Sequence, residues 1–269
     1  MTGHGELVHA SPDERRPIAL GATSVGGPRF TVIAGPCAVE SRDQLLGIAR
    51  AVQAEGATAL RGGAFKVRTD PKTFQGLGPE AFALIDEART ATGLPFIVEV
   101  TSPAQIEALA GHADALQVGS RSMHHTDLLK ALGQTRTPVL LKRGMSARLR
   151  EWLHAAEYIA HGGNDAIILC ERGIRTFETE TRNTLDLAGA VWARQRVPYP
   201  VVVDPSHGTG DPSLVVPMCL AAAAAGLDGV MVEVHENPAA AATDGFQALT
   251  IQQFATLMAA LGPLLALRT

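Results

Sequence analysis

The stretch from Val201 to Gly210 combines a strand pattern with residues that can do chemistry. Four apolar residues, Pro200 to Val203, predict a buried strand, and the turn-forming segment Asp204-Pro205-Ser206-His207 follows at once. His207 is therefore expected at the carboxyl end of a strand, where parallel α/β folds gather their reactive groups. If this interpretation holds, other strands should also end in reactive side chains.

One set of such side chains has the donor atoms of a metal site. Cys37, His207, Glu233 and Asp244 each lie at or just beyond a predicted strand end. Thiolate and imidazole favour a soft or borderline divalent ion, whereas two carboxylates also admit a harder ion such as Mn²⁺. The set predicts a transition-metal site whose identity stays open among Fe²⁺, Zn²⁺, Mn²⁺ and Co²⁺. Cys219, in an Ala-rich helix, is interpreted instead as core filling.

Cations recur at the same strand ends. Lys and Arg are rarely buried without partners, so their convergence predicts an anionic ligand, and guanidinium forks favour phosphate. The alternative is a series of surface ion pairs at loop starts. The charged and polar groups at these ends are Arg61 with Lys66 and Arg68, Glu99, Gln117 with Arg121, Lys142 with Arg143, Glu171 with Arg172, Asp204 with His207, and Glu233 with His235.

The elements that must position these groups alternate as strand then helix. Eight such units in about 240 residues predict an α/β fold, a single (β/α)8 TIM barrel, since that fold commonly needs about 250 residues. The alternative, a doubly wound sheet, lacks a Gly-x-Gly-x-x-Gly turn after the first strand. The predicted strands are Phe30–Ala34, Ala59–Gly62, Phe96–Val100, Ala115–Val118, Val139–Lys142, Ala166–Cys170, Val201–Asp204 and Gly229–Val234.

Apolar residues at three- and four-residue spacing predict the intervening helices, and several helices follow a capping residue, namely Ser41, Ser102 or Ser146. The predicted organisation is a mobile leader over residues 1–16, a short N-terminal hairpin over 17–29 and a catalytic barrel over 30–269. Predicted helices include Gln44–Glu55, Pro79–Thr90, Pro103–Gly111, Ala147–His161 and Thr181–Gln195.

Composition excludes several classes of protein. The 269 residues are 46% hydrophobic and 19% charged with a formal net charge of −4, which argues against nucleic-acid binding. The most apolar stretch, Pro217 to Leu227, is too short to span a bilayer, so no membrane association is expected. Three cysteines without disulfide-like spacing and no signal peptide predict a cytoplasmic protein.

Several motifs, in order, closely resemble those of 3-deoxy-D-arabino-heptulosonate 7-phosphate (DAHP) synthases. The resemblance covers residues 17 to 265 or so and is to the short microbial branch related to 3-deoxy-D-manno-octulosonate 8-phosphate (KDO8P) synthase. The motifs are Gly35-Pro36-Cys37-Ala38-Val39-Glu40-Ser41, Arg61-Gly62-Gly63-Ala64-Phe65-Lys66, Phe74-Gln75-Gly76-Leu77-Gly78, Leu141-Lys142-Arg143-Gly144, Cys170-Glu171-Arg172-Gly173-Ile174-Arg175-Thr176-Phe177-Glu178, Asp204-Pro205-Ser206-His207 and Val232-Glu233-Val234-His235.

The resemblance implies a metal-dependent condensation of phosphoenolpyruvate with erythrose 4-phosphate, which releases phosphate and opens the shikimate pathway. It also implies a homodimer or homotetramer. Glu99 and Lys66 are our candidates for handling the proton of the attacking water. By position, the residues that resemble the family's metal ligands are Cys37, His207, Glu233 and Asp244. Those that resemble its phosphoenolpyruvate-binding residues are Arg61, Lys66, Arg121, Lys142 and Arg172, and those that resemble its contacts to the aldose phosphate are Arg68 and Thr69. We add Gln117 and Asp204 as substrate-binding candidates.

Departures from the family pattern leave the aldose open. The chain has Asp70 where the family commonly has serine, and Asp211-Pro212 where it commonly has two arginines. Both changes are expected on the aldose side, where they would weaken the binding of a dianionic phosphate. The alternatives are therefore condensation with another aldose phosphate or amino-sugar phosphate in specialised metabolism, or a catalytically silent barrel with a regulatory role.

Three further histidines receive separate interpretations. His124 and His125 are expected at a solvated junction between a loop and a helix. His235 follows Glu233 by two residues in an extended strand, so we expect it to reach the site as a group that orients a metal ligand.

Overall fold

The computed structural model describes residues 15–68, 70 and 72–267. Within them, a closed parallel barrel of eight strands confirms the predicted fold, and each strand pairs with its neighbours in sequence until the last meets the first. The strands of the barrel are β3 (Thr31–Gly35), β4 (Ala59–Arg61), β5 (Phe96–Val100), β6 (Ala115–Val118), β7 (Val139–Lys142), β8 (Ile167–Glu171), β9 (Val201–Val203) and β10 (Gly229–Glu233).

These segments form barrel strands because both of their faces are buried. One face packs on the outer helices, and the other fills the barrel interior with a second apolar cluster that includes Ile33, Leu140 and Met231. The predicted hairpin is present as β1 (Ile18–Leu20) and β2 (Thr23–Val25), which pair antiparallel. Its buried side chains belong to the interior cluster, so the hairpin closes the amino-terminal end of the barrel.

Helices cover the outside of the barrel. Cys219 and Trp152 are fully buried in this outer layer, which agrees with the predicted packing role of Cys219. The helices are α1 (Arg42–Ala54), α2 (Glu80–Thr92), α3 (Ile106–Ala110), α4 (Thr126–Gly133), α5 (Leu149–His161), α6 (Leu187–Arg194), α7 (Pro205–Thr209), α8 (Pro212–Ala224) and α9 (Ile251–Ala266).

Helix starts were predicted less well than strands. Ser41 caps α1 as expected, because its side chain accepts a hydrogen bond from the backbone N–H of Gln44. The prediction for Ser146 was wrong: α5 begins at Leu149, and the Glu151 side chain accepts from the backbone N–H of Arg148. Ser102 precedes a 3₁₀ turn and makes no capping hydrogen bond through its side chain.

The predicted helix Thr181–Gln195 starts six residues later than expected, at Leu187. Asp186 is its cap and accepts from the backbone N–H of Gly189. Residues 181–186 instead form a loop that contributes Arg182 to the wall of the pocket described below.

Residues 1–14 of the predicted leader lie outside the described residues. Its last two residues contact the barrel: Arg15 pairs with Asp228, and Arg16 pairs with Asp165. Among the described residues, no helix is both long enough and apolar enough to cross a membrane.

Candidate active site

The carboxyl ends of the barrel strands open into one pocket. Its wall brings together the cations, the acid–base pair and two of the metal ligands that were predicted from sequence. Thr69 was also predicted here, but it lies outside the described residues. The predicted residues that line the pocket are Arg61, Lys66, Arg68, Glu99, Gln117, Arg121, Lys142, Arg172, His207 and Asp244.

The four predicted metal ligands form one cluster beside this pocket. Each of Cys37, His207, Glu233 and Asp244 offers a donor atom, and these atoms all lie within 4.8 Å of one another. The His207 Nε2 atom is 3.4 Å from Glu233 Oε1, and the Cys37 thiol donates to Asp244 Oδ2 over 3.4 Å. One sulfur, one imidazole and two carboxylates around one point form a set that a divalent ion can hold together.

The protonation states of the cluster also fit a metal. Burial lowers the pKa of His207, and the neighbouring carboxylates Asp204 and Glu233 oppose this shift. Burial alone would raise the pKa of Glu233, but His207 and Arg61 lower it to about 2, so this carboxylate is ionised. Burial, with a further contribution from Glu233, raises the pKa of the Cys37 thiol to about 12. A bound divalent cation would displace that proton.

Asp244 has an unusual backbone conformation. Its φ of 48° and ψ of 25° place it in the left-handed region, which non-glycine residues rarely adopt. Such strain persists where the surrounding structure enforces it, and it concentrates at functional sites. Here the conformation brings the Asp244 carboxylate to Cys37 Sγ, across 207 residues of sequence.

His207 is held by the carboxylate that precedes it. Asp204 is fully buried at the end of β9, and its Oδ1 accepts from the backbone N–H of His207 over 3.0 Å. Asp204 Oδ2 lies 2.8 Å from His207 Nδ1 and accepts from Lys142 Nζ. Burial alone would raise the pKa of Asp204, but His207 and Lys142 hold it well below its usual range. Asp204 therefore stays charged and orients the imidazole.

Lys66 joins the metal cluster to Glu99. Its Nζ is 3.2 Å from Cys37 Sγ and 3.6 Å from Glu99 Oε2. Glu99 packs so closely on Gly119 that a Cβ there would lie 2.2 Å from Glu99 Oε1. A larger residue at position 119 would push the Glu99 carboxylate out of this position. The two predicted acid–base groups are in contact, with side chains 9% and 16% exposed.

Three cations of the pocket have no carboxylate oxygen within 4.0 Å in the part of the chain that the structure describes. Arg172 is buried, and its side chain donates to the carbonyl of Gly173. Arg68 donates to the Thr73 hydroxyl, and Arg121 is exposed in the pocket wall. Burial lowers the pKa of Arg172, and the nearby Arg182 adds to that effect. A buried guanidinium without a carboxylate partner suits an anionic ligand.

Arg143 and Glu171, two members of the strand-end ring, pair with each other. Arg143 NH1 donates to Glu171 Oε2 over 3.0 Å and to Asp186 Oδ2 over 2.8 Å. Neither Arg143 nor Glu171 lines the pocket. These residues form an ion pair, but the pair is buried and is therefore not the surface pair of the alternative interpretation.

The predicted histidines outside the cluster divide in two. His124 and His125 are exposed before α4, as expected. His235 was expected to orient a metal ligand, but its Nε2 lies 3.9 Å from Glu40 Oε2 and its Nδ1 accepts from the backbone N–H of Asn237. It supports the loop after β10 rather than Glu233.

The expected aldose-side position of Asp211 and Pro212 is wrong. Asp211 is the N-cap of α8 and accepts from the backbone N–H of Ser213 over 2.8 Å, and Pro212 is the first helical residue. Neither residue lines the pocket. Asp70, in contrast, does line the pocket.

Sequence reasoning missed Arg182 and Gln247. Gln247 is fully buried, and its Nε2 donates to Glu233 Oε2 over 2.6 Å. Arg182 lines the pocket, with NH1 3.8 Å from Asp244 Oδ1. A neutral amide and a loop arginine lack the strand-end pattern that revealed the other groups. The available signal was the position of Gln247 three residues after the predicted ligand Asp244.

Comparisons with known proteins agree with this geometry. The sequence matches a family model described as the DAHP synthetase I family over residues 14–265. The phospho-2-dehydro-3-deoxyheptonate aldolase of Thermotoga maritima is 44% identical over 241 residues, which cover 90% of this chain and 71% of that protein. The 2-dehydro-3-deoxyphosphooctonate aldolase of Desulfatibacillum aliphaticivorans is 32% identical over 251 residues, covering 86% and 90%.

Solved structures agree as well. The crystal structure of the Thermotoga maritima DAHP synthase superposes with a TM-score of 0.94 at 40% identity, covering 99% of this chain and 79% of that one. A truncated form of the same synthase gives 0.88 at 39% identity, covering 95% and 94%. Sequence, fold and pocket thus confirm the predicted family and enzyme class: the chain belongs to the DAHP synthetase I family.

Proposed function

We propose that the chain condenses phosphoenolpyruvate with the aldehyde of an aldose phosphate, erythrose 4-phosphate, to give DAHP and inorganic phosphate. The observation that carries this proposal is that two sets of residues meet in one pocket. His207 and Asp244 of the metal cluster line it together with three arginines that have no carboxylate oxygen within 4.0 Å among the described residues, namely Arg68, Arg121 and Arg172. Membership of the DAHP synthetase I family supports the same reaction.

Cys37, His207, Glu233 and Asp244 would hold one divalent ion, which is Mn²⁺, Fe²⁺, Co²⁺ or Zn²⁺. When bound, such an ion supplies Lewis acidity toward an aldehyde oxygen. The protein holds the donors ready for it: Asp204 orients the His207 imidazole, and Arg61 NH1 donates to Glu233 Oε1 over 2.7 Å. These side chains therefore need to move little when the ion binds.

The cations bind the phosphate and carboxylate of phosphoenolpyruvate. Arg172 offers a buried guanidinium with no carboxylate oxygen within 4.0 Å among the described residues, and Arg121 faces the same pocket. Lys142, although paired with Asp204, also lines the wall beside Gln117. Fixed positive charge stabilises the phosphate as it leaves with cleavage of the C–O bond, when negative charge on it increases.

Lys66 and Glu99 move the protons of the reaction. Attack by C3 of phosphoenolpyruvate on the aldehyde leaves positive charge at C2, where water adds. The Glu99 carboxylate accepts the proton of that water, and the Lys66 ammonium, 3.6 Å from Glu99 Oε2, donates a proton to the alkoxide formed from the aldehyde. Full turnover by a Glu99→Gln variant would remove Glu99 from this role.

Arg68 binds the phosphate of the aldose, and Asp70 stands near it in the pocket wall. A carboxylate close to that phosphate disfavours a dianionic group. Asp70 is the one observation that favours a second candidate, an aldose phosphate other than erythrose 4-phosphate. The homo-oligomeric state implied by the resemblance stays a prediction.

Phosphate release from phosphoenolpyruvate by metal-loaded protein tests the proposal. Erythrose 4-phosphate, arabinose 5-phosphate and ribose 5-phosphate are compared at equal concentration, with a no-aldose control. A preference for erythrose 4-phosphate is expected. Preference for another aldose would replace the acceptor but keep the condensation, whereas no aldose-dependent release would contradict the proposal and favour the silent barrel.

A further inference from the structure

Gln247 contacts the metal cluster but is not one of the residues that line the pocket. It belongs to the 3₁₀ turn Gly245–Gln247 that follows Asp244 in the loop between β10 and α9, and it is fully buried. Its Nε2 donates to Glu233 Oε2 over 2.6 Å, and its Oε1 accepts from Arg182 NH1. A single neutral side chain thus bridges a proposed metal ligand and a cation.

Arg182 determines which way the amide of Gln247 points. A guanidinium can only donate hydrogen bonds, so the carbonyl oxygen of the amide must face Arg182. The amide nitrogen, a donor, must then face the Glu233 carboxylate. Without Arg182, a turned amide would direct its oxygen at that carboxylate and repel it. The pair Arg182–Gln247 therefore delivers a donor to Glu233 in a fixed orientation.

This donor fixes the orientation of the Glu233 carboxylate. Oε2 is occupied by Gln247, whereas Oε1 faces Arg61 at 2.7 Å and His207 Nε2 at 3.4 Å. Oε1 is thus the oxygen that faces the proposed ligand His207. Hydrogen bonds from outside a metal's ligands commonly orient them in this way.

The same two residues also tie together the loops that carry the other ligands. The backbone N–H of Gln247 donates to the carbonyl of Asp244 over 3.2 Å, and the backbone N–H of Arg182 donates to the carbonyl of Thr209 over 2.8 Å. Next to Arg182, the Asn183 amide donates to the carbonyl of His207. A shift of Gln247 would therefore move both Glu233 and Asp244.

We propose that Gln247 is a positioning residue for the metal site, holding the Glu233 carboxylate in its ligating orientation, and that Arg182 fixes the direction of its amide. This inference rests on the metal site of the proposed function. It predicts that loss of the amide weakens metal binding even where folding is preserved, because the ligands remain but one is no longer oriented.

The test is a Co²⁺ titration of chelator-treated protein, in competition with a chelator, followed by the absorption of the thiolate-bound ion. The variants are Gln247→Leu, which removes the amide, and Gln247→Asn, which keeps it on a side chain one methylene too short to reach both partners. Asn164→Leu is the matched control, because Asn164 is a buried amide whose hydrogen bonds lie before β8, away from the cluster. Thermal unfolding of the metal-free proteins is measured in parallel.

Both Gln247 variants are expected to bind Co²⁺ about 10- to 100-fold more weakly than the parent. Asn164→Leu is expected to unfold at a lower temperature with an unchanged Co²⁺ affinity. Affinity within twofold of the parent in either folded Gln247 variant would overturn the assignment, and Gln247→Asn decides if Gln247→Leu does not fold. If the parent itself bound no Co²⁺, the metal site of the proposed function would fail first, which is a separate result.

Discussion

Charged residues gather at both ends of the barrel, but they are arranged differently at each. At the amino-terminal end, carboxylates have complete sets of partners. Asp228 accepts from the backbone N–H of Val201 over 2.8 Å and from Arg194 over 3.0 Å, and Asp114 accepts from the backbone N–H of Phe96 over 2.8 Å and from Arg89. Each carboxylate joins a strand start to a cation.

At the carboxyl-terminal end, several charged side chains have no partner of opposite charge among the described residues. Arg172, Arg68 and Arg121 have no carboxylate within 4.0 Å in the described residues, and the four proposed ligands bring together three acidic or thiol groups that repel one another when ionised. Anions and a cation from outside would complete such an arrangement. The difference teaches that incomplete pairing, rather than charge itself, marks the functional end.

The largest effect is expected from removing a proposed ligand. A His207→Ala substitution takes away the imidazole and leaves Asp204 and Glu233 without it. We expect metal-dependent phosphate release to fall by more than about 100-fold, because loss of a residue that merely supports a ligand already costs 10- to 100-fold. Turnover with and without added metal measures it, and near-parent turnover would show that the cluster does not serve the reaction.

Removal of an unpaired cation should have the next largest effect. Arg172→Met leaves the phosphoenolpyruvate phosphate without a buried guanidinium, and we expect kcat/KM for phosphoenolpyruvate to fall by about 100-fold. Arg172→Lys, the control, keeps the charge but loses the fork and should recover part of the loss. Equal activity of Arg172→Met and the parent would mean that Arg172 does not bind the phosphate of phosphoenolpyruvate.

The paired end should respond in stability and not in catalysis. Asp228→Ala leaves the buried backbone N–H of Val201 without its acceptor and should cost about 1–3 kcal/mol of unfolding free energy. Denaturant unfolding measures the cost, while kcat and KM of the folded enzyme are expected to stay within about twofold of the parent, since a structural role moves stability alone. A large fall in kcat would contradict the assignment of a purely structural role to the amino-terminal end of the barrel.

The smallest effect is expected at the rim of the pocket. Asp70→Ser removes a carboxylate from the wall that we assign to the aldose phosphate, and KM for the aldose phosphate should fall roughly two- to fivefold, as for an exposed charge pair. KM for phosphoenolpyruvate should not change. Asp211→Ser is the control, because Asp211 caps α8 outside the pocket, and it should change neither constant.

Strands were predictable because burial on both faces leaves continuous apolar runs. Phe96–Val100 and Val139–Lys142 have the predicted bounds. The first residues of helices were less predictable, because several residues near each start can serve as the N-cap. Ser146 and Arg148 compete before α5, and the tertiary contacts that decide between them are not local in sequence.

Three of the four proposed ligands and most cations of the pocket were predictable for a related reason. Cys37, His207 and Glu233 stand at or just after strand ends, which a parallel barrel brings together, whereas Asp244 lies in the loop between β10 and α9. Gln247 and Asp211 show the limit: the first acts through a contact with Glu233 across 14 residues, and the second was assigned to the pocket although it caps a helix. Neither contact can be predicted from the sequence, because both depend on the paths that the loops take in the folded protein.

The most direct test of the central claim is a titration of divalent metal into chelator-treated protein with phosphoenolpyruvate and erythrose 4-phosphate present, followed by phosphate release. We predict that activity is absent at the start, rises with metal and saturates at one ion per chain, because Cys37, His207, Glu233 and Asp244 form one cluster. Full phosphate release before any metal is added, or release that does not depend on the aldose, would contradict the account.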